Sequence, residues 1–297
     1  WSSTPPSFDR AQERRYAGDV REIYHVTSLA ALDAARATGV LTPVTLGSDG
    51  FVHASYLHQL VPVANLIFRG ASDLRILELD RGALGVPTVD EPPNPPGPGI
   101  EATDLFPHIQ GPIPMDAVRA EYPFSEVNDG FVLPDVLRAL QASEEREFHA
   151  LLEAYAWSDH PEGPKLKFAE THRNAHRTSG HWLFSRGAIS AFHQVLDSDE
   201  LWIAHRGGLR LHVIDNDGTY AMHALGLSVD RGEVPVISIQ AGAWQAAELP
   251  PGEPYAFGTN VCAPAFTFEK SFVLGARAAL AAQFPQYREL IERLTLA

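Results

Sequence analysis

Three histidines in the first half of the chain have the residue type and the setting for proton transfer or ligand binding. Each lies beside an aromatic residue, at a point where a predicted strand meets a turn. The neutral ring both donates and accepts hydrogen bonds, and its pKa near neutrality lets it carry a proton. We therefore predict one small-molecule site from the three. The blocks are Tyr24-His25-Val26, Phe51-Val52-His53 and Phe106-Pro107-His108.

These histidines also allow a metal interpretation, because three His ligands with one open position are typical of catalytic zinc. The sequence places no Asp or Glu directly beside His25, His53 or His108 to orient the ring, although such a partner can come from elsewhere in the fold. Any single one of them is more simply a buried histidine bonded to backbone. For the set we predict a site without metal.

The second half of the chain carries a different set of polar residues on short apolar segments. His193 and Glu200 are predicted to pair, since a buried carboxylate normally needs a partner. Trp202 and Gln245 are predicted to face the same pocket, because aromatic walls with a few polar groups are typical of small-molecule sites. Such a pocket can perform acid–base chemistry without a metal. We also place three further residues in this interior, namely His205, Trp244 and Phe266.

The elements that must position these residues follow from hydrophobic spacing and turn signals. In the first half we predict a helix that begins after Ser28 and stops at Gly39, because these residue types favour the two helix ends. Its other predicted elements are strands at 23–27, 74–79 and 116–122, a helix at 56–68 and a loop at 91–99. A helical pattern at 134–157 follows, with the domain boundary near residues 128–130.

Beyond residue 160, short apolar strands separated by turn signals predict an antiparallel sandwich or barrel. A helix is predicted at 275–295. Residues 1–20 are polar and predict a loose N-terminal arm. The full division is an arm at 1–20, a first domain at 21–127, a linker helix at 128–147 and a second domain at 148–297.

Composition excludes several classes of function. The 297 residues hold 23 Lys and Arg against 37 Asp and Glu, a net charge of −14, which argues against a nucleic-acid partner. The single Cys262 excludes an intrachain disulfide and a cysteine-based zinc cluster. No apolar run approaches the ~20 residues of a membrane span, so we expect no membrane partner and a cytoplasmic protein.

The first half resembles a known family through three ordered blocks. They are Tyr24-His25-Val26-Thr27-Ser28, Gly50-Phe51-Val52-His53-Ala54-Ser55, and Phe106-Pro107-His108-Ile109 through Asp116-Ala117-Val118. Together they resemble the domain of unknown function (DUF) 952 family over about residues 21–124. The resemblance implies a distant relation to ADP-ribosyltransferases and RNA 2′-phosphotransferases, an α+β split-sheet fold, and an NAD-binding cleft.

That resemblance implies a role for each histidine. His25 would lie near the ribose and His53 near the nicotinamide, while His108 stands where active transferases carry a Glu, which argues against protein ADP-ribosylation. The residues fit cleavage of the ribosyl–pyridine bond, which passes through an oxocarbenium-like state that a neutral histidine can assist by positioning water. Tyr24, Ser55 and Arg69 are the predicted substrate-binding residues, the last with Arg75 as an alternative for phosphate.

The second half resembles the small cupin family once called domain of unknown function (DUF) 985, over about residues 148–295. The motifs are His160-Pro161-Glu162-Gly163, Ser198-Asp199-Glu200-Leu201-Trp202, Ala241-Gly242-Ala243-Trp244-Gln245 and Cys262-Ala263-Pro264-Ala265-Phe266. The resemblance implies an all-β jelly roll with flanking helices. Metal-binding cupins carry a second His where this chain has Val195 and another where it has Gln245, so a metal is disfavoured.

Three functions remain open at this point. The first is an enzyme that hydrolyses the N-glycosidic bond of NAD or a related nucleotide, with catalytic residues His25, His53, His108, His193 and Glu200, no cofactor, and a homodimer formed through the cupin domain. The second is an isomerase, epimerase or hydrolase on a small polar metabolite, centred on His193 and Glu200. The third is a sensor that binds a nucleotide without turnover.

Overall fold

The computed structural model describes residues 22–93, 97–100 and 104–296, and these form two compact units. The first unit comprises the described residues up to Glu147 and the second those from Phe148 onward. A helix, Asp135–Ala154, continues across this division. The predicted arm at 1–20 lies outside the described residues. No helix in the described parts of the chain is long and apolar enough to cross a membrane.

The first unit combines short helices with antiparallel strands. Its helices are α1 (Leu29–Thr38), α2 (Val44–Asp49), α3 (Leu60–Ile67) and the start of α4 (Asp135–Ala154). Its strands are β1 (Ile23–Ser28), β2 (Val40–Leu41), β3 (Val52–His53), β4 (Leu74–Leu79), β5 (Thr88–Glu91), β6 (Phe106–Ile109), β7 (Ile113–Pro114), β8 (Val118–Val127) and β9 (Gly130–Val132).

The strands of the first unit form three small sheets, ordered β1-β4-β8-β9, β3-β6-β5 and β2-β7. Side chains alternate along the strands of the first sheet, so its two faces pack into different apolar clusters. Ile23 and Leu77 pack into one apolar cluster, whereas Tyr24 and Ile76 pack into another that also holds Leu137 of α4. An isolated bridge between Tyr24 and Ser55 joins β1 to the segment after β3.

Helix α1 has the ends that its sequence predicts. The Ser28 side chain accepts a hydrogen bond from the Ala31 amide, and Gly39 ends the helix with a φ of +80°. The predicted strand at 116–122 is wrong at its start, since residues Met115–Ala117 form a 3-10 turn and β8 begins only at Val118. Glu91, predicted as loop, is the last residue of β5.

The second unit is a sandwich of two antiparallel sheets. Its strands are β10 (Ser158–Asp159), β11 (Leu166–Arg173), β12 (Thr178–Ser185), β13 (Ile189–Val195), β14 (Asp199–Arg206), β15 (Leu209–Ile214), β16 (Tyr220–Leu225), β17 (Val236–Ile239), β18 (Trp244–Glu248), β19 (Tyr255–Ala263) and β20 (Phe272–Leu274). Its helices are the end of α4, α5 (Phe268–Ser271), α6 (Arg277–Gln283) and α7 (Arg288–Arg293).

One sheet has the order β10-β11-β12-β19-β14-β17 and the other β16-β15-β18-β13-β20. Their inner faces pack together through buried residues of both sheets, among them Trp182 and Trp202 from the first and Leu211 and Val213 from the second. The predicted single helix at 275–295 is wrong, because Pro285 begins a 3-10 turn that separates α6 from α7. Both helices cover the outer face of the second sheet around Phe192.

A charged cluster holds α7 against this sheet. Glu248 of β18 accepts hydrogen bonds from His212 Nε2 at 3.2 Å and from Arg293 of α7. Burial raises the pKa of Glu248, but His212 and Arg293 outweigh that effect and lower it to about 2. The ionised carboxylate therefore stabilises the fold above its ordinary pKa of 4.5, and this contribution is lost as pH falls toward 2.

We expect Glu248→Gln to lower the free energy of unfolding of the second unit by roughly 1.5–3 kcal/mol, the usual value of hydrogen bonds to a charged group. Urea titration followed by tryptophan fluorescence measures this directly. Glu292→Gln is the matched control, because Glu292 forms an exposed pair with Arg288 at 3.7 Å and should change stability little. Equal losses of unfolding free energy in the two variants would show that the buried cluster contributes no more to stability than an exposed ion pair.

Candidate active site

A cavity opens among the side chains of the inner face of the six-stranded sheet. Strand register places its polar residues, because Glu200 lies opposite Cys262, and Trp202 lies opposite Asn260, across the β14–β19 pair. Side chains two residues apart on a strand share one face, so these four all point inward. The cavity measures about 80 Å³, and a single water needs roughly 10–15 Å³ by the same measure. The space therefore suits a small metabolite.

Glu200 is the buried acid of this cavity, with 6% of its surface exposed. Its Oε2 accepts a hydrogen bond from Gln245 Nε2 at 2.5 Å, and its Oε1 accepts one from Asn260 Nδ2 at 2.5 Å. Burial raises the pKa of Glu200 from 4.5 to about 7, and Glu162 adds to the rise while His193 and the two amides oppose it. Such a group exchanges protons at neutral pH.

Trp202 fixes the orientation of the Gln245 amide. Its indole Nε1 donates to Gln245 Oε1 at 3.0 Å, so the other end of that amide must present its N–H groups to Glu200. Trp202 lines the cavity, whereas Gln245 is not among the lining residues and lies behind the carboxyl that it contacts. The sequence predicts these residues in one pocket; Trp202, Gln245 and Glu200 form a hydrogen-bonded chain, of which Trp202 and Glu200 line the cavity.

A second carboxyl, Glu162, also lines the cavity. Its Oε2 accepts a hydrogen bond from Ser190 Oγ at 2.6 Å, and its Oε1 lies 3.5 Å from His193 Nε2. The backbone on either side is anchored closely, since Ala191 N donates to the Glu162 carbonyl. A Cβ on Gly163 would lie 2.0 Å from the Ile189 carbonyl oxygen, so only glycine fits beside this acid.

His193 is held one step back from the cavity. Its Nδ1 donates to the Ala191 carbonyl at 2.9 Å, which turns Nε2 toward Glu162. His193 is not among the lining residues, so it can act on a bound molecule only through Glu162. The sequence predicts a pair of His193 with Glu200 here. The direct polar contact of His193 is instead with Glu162, although its charge lowers the pKa of Glu200.

The residues present do not fit a cupin metal centre. Val195 has no donor atom, and both ends of the Gln245 amide are occupied by Trp202 and Glu200. His193 keeps only Nε2, which faces Glu162. Across the described ranges, no group of three or more His, Cys, Asp and Glu side chains is arranged to hold a metal ion.

Of the three further residues predicted for this interior, two lie elsewhere and one lines the cavity. His205 Nε2 forms a hydrogen bond with Thr259 Oγ1 at 2.7 Å, and its ring contacts Phe257. Side chains alternate between the two faces of β14, and His205 lies on the face opposite Glu200. Trp244 packs with Phe192 under the C-terminal helices, on the face opposite Gln245. Phe266 lines the cavity as predicted.

The structure also brings together residues to which the sequence alone assigns no role. His160, Glu162, Asn260 and Cys262 all line the cavity. His160, Glu162 and Cys262 belong to motif blocks that carry the family resemblance, so a signal was present for them. Burial raises the pKa of the Cys262 thiol far above its usual value, which leaves it neutral and unreactive.

In the first unit, the three predicted histidines come together. His53 and His108 are register partners across the β3–β6 pair, and their ring centroids are 5.2 Å apart. The buried His25 bonds through Nδ1 to the His53 carbonyl at 2.7 Å. Burial lowers the pKa of His25 to about 4, with the neighbouring His53 charge adding to that effect and the hydrogen bond opposing it. His25 is therefore neutral at physiological pH.

Acidic partners are present for two of these rings, although none stands directly beside them in sequence. His53 Nε2 lies 2.9 Å from Asp49 Oδ2, and His108 Nδ1 lies 2.7 Å from Glu91 Oε2. Phe51 stacks on the His108 ring with centroids 3.9 Å apart. Asp49 lies at the end of α2, and Glu91 is the last residue of β5. The sequence predicts Glu91 in a loop at 91–99 and so does not indicate its position beside His108.

The predicted substrate-binding residues of the first unit differ in their surroundings. Tyr24 and Ser55 are buried and pair through their backbones at 2.8 Å. Burial, with nearby Glu78, raises the pKa of Tyr24 strongly. Arg69 does not support a phosphate role, because its guanidinium bonds to Glu126 at 2.7 Å and to the Asp129 carbonyl, closing the turn between β8 and β9.

Arg75, the alternative for phosphate, has a partner of its own. Its Nε donates to Glu121 Oε1 at 3.1 Å across the β4–β8 pair. Arg75 therefore serves the sheet in the same way that Arg69 serves the turn. Both guanidinium groups are engaged with acids and backbone carbonyls, so a nucleotide phosphate at the histidine cluster would need another partner.

Comparison with protein families addresses the two resemblances. A family model described as cupin superfamily (DUF985) matches residues 136–274. A model described as a protein of unknown function (DUF952) matches residues 26–121. Both resemblances drawn from the motifs are confirmed. The second unit thus contains an all-β cupin-like domain, whereas the ADP-ribosyltransferase-like fold of the DUF952 part stays a prediction.

Several solved structures are similar to part of this chain. A hypothetical protein from Leishmania major is 25% identical, with a TM-score of 0.45, over 51% of this chain and 98% of its own. A protein from Shewanella oneidensis is 25% identical, with a TM-score of 0.45, over 50% of this chain and 96% of its own. A protein from Caulobacter crescentus is 29% identical, with a TM-score of 0.35, over 39% of this chain and 98% of its own. No curated protein matches the chain.

Proposed function

We propose that the cupin unit is a metal-independent acid–base enzyme, an isomerase, epimerase or hydrolase, that acts on a small polar metabolite. The observation that carries this proposal is the carboxyl of Glu200, which lines the cavity and has a pKa raised by burial to about 7. At neutral pH such a carboxyl is present in both protonation states. It can therefore take a proton from a bound molecule and return one within a single turnover.

The surrounding side chains support this role. Gln245 and Asn260 each donate one hydrogen bond to Glu200, which holds the carboxyl in place without neutralising it. Glu162 supplies a second carboxyl, and His193 and Ser190 orient it. Two acids in different environments are a recurrent arrangement for separating an acid role from a base role.

Proton exchange tests this function even while the product is unidentified. The purified, chelator-treated protein is incubated in D₂O with a panel of small hydroxy-carbonyl, keto and amide compounds, and NMR follows loss of the C–H signals. We expect deuterium incorporation or product formation with the wild type for at least one compound class. No exchange and no product across the panel would contradict the proposal.

A second candidate is hydrolysis of the N-glycosidic bond of NAD or a related nucleotide at the histidine cluster. The observation that favours it is the convergence of His25, His53 and His108, two of them oriented by carboxylates. A neutral histidine so oriented can position or deprotonate the attacking water. The ADP-ribosyltransferase-like fold implied for this part would place the nucleotide here.

Mass spectrometry of products from NAD and nicotinamide mononucleotide tests this second candidate. Release of nicotinamide that is lost in His53→Gln or His108→Gln, and retained in Glu200→Gln, would assign the activity to the first unit. Tight binding without release would favour a nucleotide sensor. The absence of both binding and release would remove both nucleotide hypotheses.

A further inference from the structure

Unpaired polar atoms concentrate in the cupin cavity. In the described part of the chain, four buried side-chain atoms have no hydrogen-bond partner, and three of them belong to residues that line the cavity. These three are His160 Nδ1, Trp182 Nε1 and Asn260 Oδ1. A buried polar group without a partner is costly, and such groups are rare in folded proteins. All three residues line one cavity, which indicates a polar ligand there.

The chemistry of two of these atoms is fixed. The indole Nε1 of Trp182 is only a donor, so it requires an acceptor on the ligand. Asn260 donates through Nδ2 to Glu200, so its Oδ1 is the free end and requires a donor on the ligand. The nearest carboxyl oxygen to His160 Nδ1 is 3.6 Å away on Glu162, too far for a hydrogen bond. The ligand must therefore present both kinds of group.

The charge of the lining argues against an anion. Glu162, Glu170 and Glu200 all line the cavity, and the one arginine of the lining, Arg173, bonds to Glu170 and to the Phe266 carbonyl. Burial lowers the pKa of His160 against the opposing charge of Glu162, with a smaller contribution from His193, so that ring is neutral at pH 7. A phosphate or carboxylate on the ligand would meet like charge without a free cation.

The remaining walls are aromatic. Phe168, Trp182, Phe266 and Phe268 face the space, and Gly180 leaves room for the Phe168 ring, which would lie 2.1 Å from an added Cβ. Flat aromatic faces cover the C–H faces of a compact ligand, while the few polar groups fix its orientation. Together with the acidic lining, these walls suit a compact neutral ligand better than a charged nucleotide.

We propose that the cavity binds a neutral hydroxy-carbonyl compound of monosaccharide size or smaller, whose carbonyl oxygen accepts from Trp182 Nε1 and whose hydroxyl donates to Asn260 Oδ1. The choice of a hydroxy-carbonyl rests on the proposed function, because a carbonyl makes the neighbouring C–H acidic enough for Glu200. Binding itself does not depend on turnover, so the two can be tested apart.

Isothermal titration calorimetry tests the ligand class on the wild-type protein. The probes are glyceraldehyde, dihydroxyacetone, erythrulose, xylose and ribose, each compared with its phosphate ester or its aldonic acid where one exists. We expect heat of binding from at least one neutral compound and at least tenfold weaker binding of its charged counterpart. Equal or tighter binding of the charged forms, or no binding of any neutral compound, would overturn the inference.

The Trp182→Phe variant tests the contact, since it keeps an aromatic ring and removes the indole N–H together with part of the ring volume. Loss of one partner from a buried acceptor weakens binding by roughly 5- to 150-fold. Trp244→Phe is the matched control, because Trp244 packs under the C-terminal helices, outside the cavity lining. Trp182 is buried in the sandwich core, so the smaller Phe ring should also lower stability without ligand, and affinity is compared on protein shown to be folded. Unchanged affinity in Trp182→Phe would overturn the assigned contact.

The two proposals fail in different ways. Binding of a neutral compound without exchange or product would leave this inference standing and remove the acid–base function. Turnover of a compound whose affinity is insensitive to Trp182→Phe would keep the function and remove the inference.

Discussion

Replacing Glu200 with Gln is expected to lower turnover of the cavity's substrate by roughly 10²–10⁴-fold, the usual contribution of a positioned proton-transfer group. Ligand affinity should change much less, because Gln keeps the size of the side chain. The pH–rate profile of the wild type should show a transition near the pKa of about 7 that burial gives this carboxyl. That transition should be absent from any residual activity of the variant.

The same substitution should change how stability depends on pH. The pKa of Glu200 is about 7 in the folded protein against 4.5 in an exposed chain, so between these values the folded state binds more protons. Stability of the wild type therefore falls as pH rises from 4.5 to 7, by about 3 kcal/mol from this group. Glu200→Gln should remove that part of the slope.

Urea titrations at several pH values, followed by tryptophan fluorescence, measure this effect. All four tryptophans within the described residues lie in the second unit, so the signal reports on that unit. Glu233→Gln is the matched control for turnover, because Glu233 also has a pKa raised by burial but does not line the cavity. Turnover by Glu200→Gln at the wild-type rate would contradict the proposed acid–base role.

The first unit should lose stability in mild acid through His25. Burial lowers the pKa of this ring from 6.5 to about 4 in the folded protein, so below 6.5 the unfolded chain binds the proton more readily. This contribution is complete above pH 6.5 and is lost as pH falls toward 4, amounting to about 3 kcal/mol. His25→Gln should remove the acid sensitivity, because Gln can still donate to the His53 carbonyl.

Hydrogen exchange with mass spectrometry at pH 4–7 measures the effect in β1 and β4, after correction for the intrinsic rate at each pH. The control is His53→Gln, since the His53 ring is exposed and lies beside Asp49. An NMR titration of the His25 ring provides an independent value. A midpoint near 6.5 for His25 would contradict the buried, neutral state on which this prediction depends.

Much of the fold follows from local sequence. The cap at Ser28 and the stop at Gly39 bound α1, and alternating apolar residues locate the sandwich strands. The split of the C-terminal helix at Pro285 was missed because the apolar spacing on both sides is helical. Short strands such as β5 were also missed, since their pairing with β6 depends on residues distant in sequence.

The candidate site was predictable only in part. Sequence motifs located Glu200, Trp202 and Gln245, which do form one hydrogen-bonded chain. They did not indicate that His193 would contact Glu162, because the loop that carries Glu162 reaches β13 only through tertiary backbone contacts. The prediction placed His205 on the wrong face of β14, because a motif does not show toward which face of the sheet each of its residues points. Asn260 carries no motif, and its role appears only from the register of β14 with β19.

The chain of hydrogen bonds from Trp202 through Gln245 to Glu200 has an evolutionary consequence. Conversion of this unit to a metal-binding cupin would need a ligand at both Val195 and Gln245. A change of Gln245 alone would remove the acceptor of the Trp202 indole and one of the donors to the Glu200 carboxyl. Because a change of Gln245 alone leaves buried polar groups unpaired, conversion by that step would pass through a less stable intermediate.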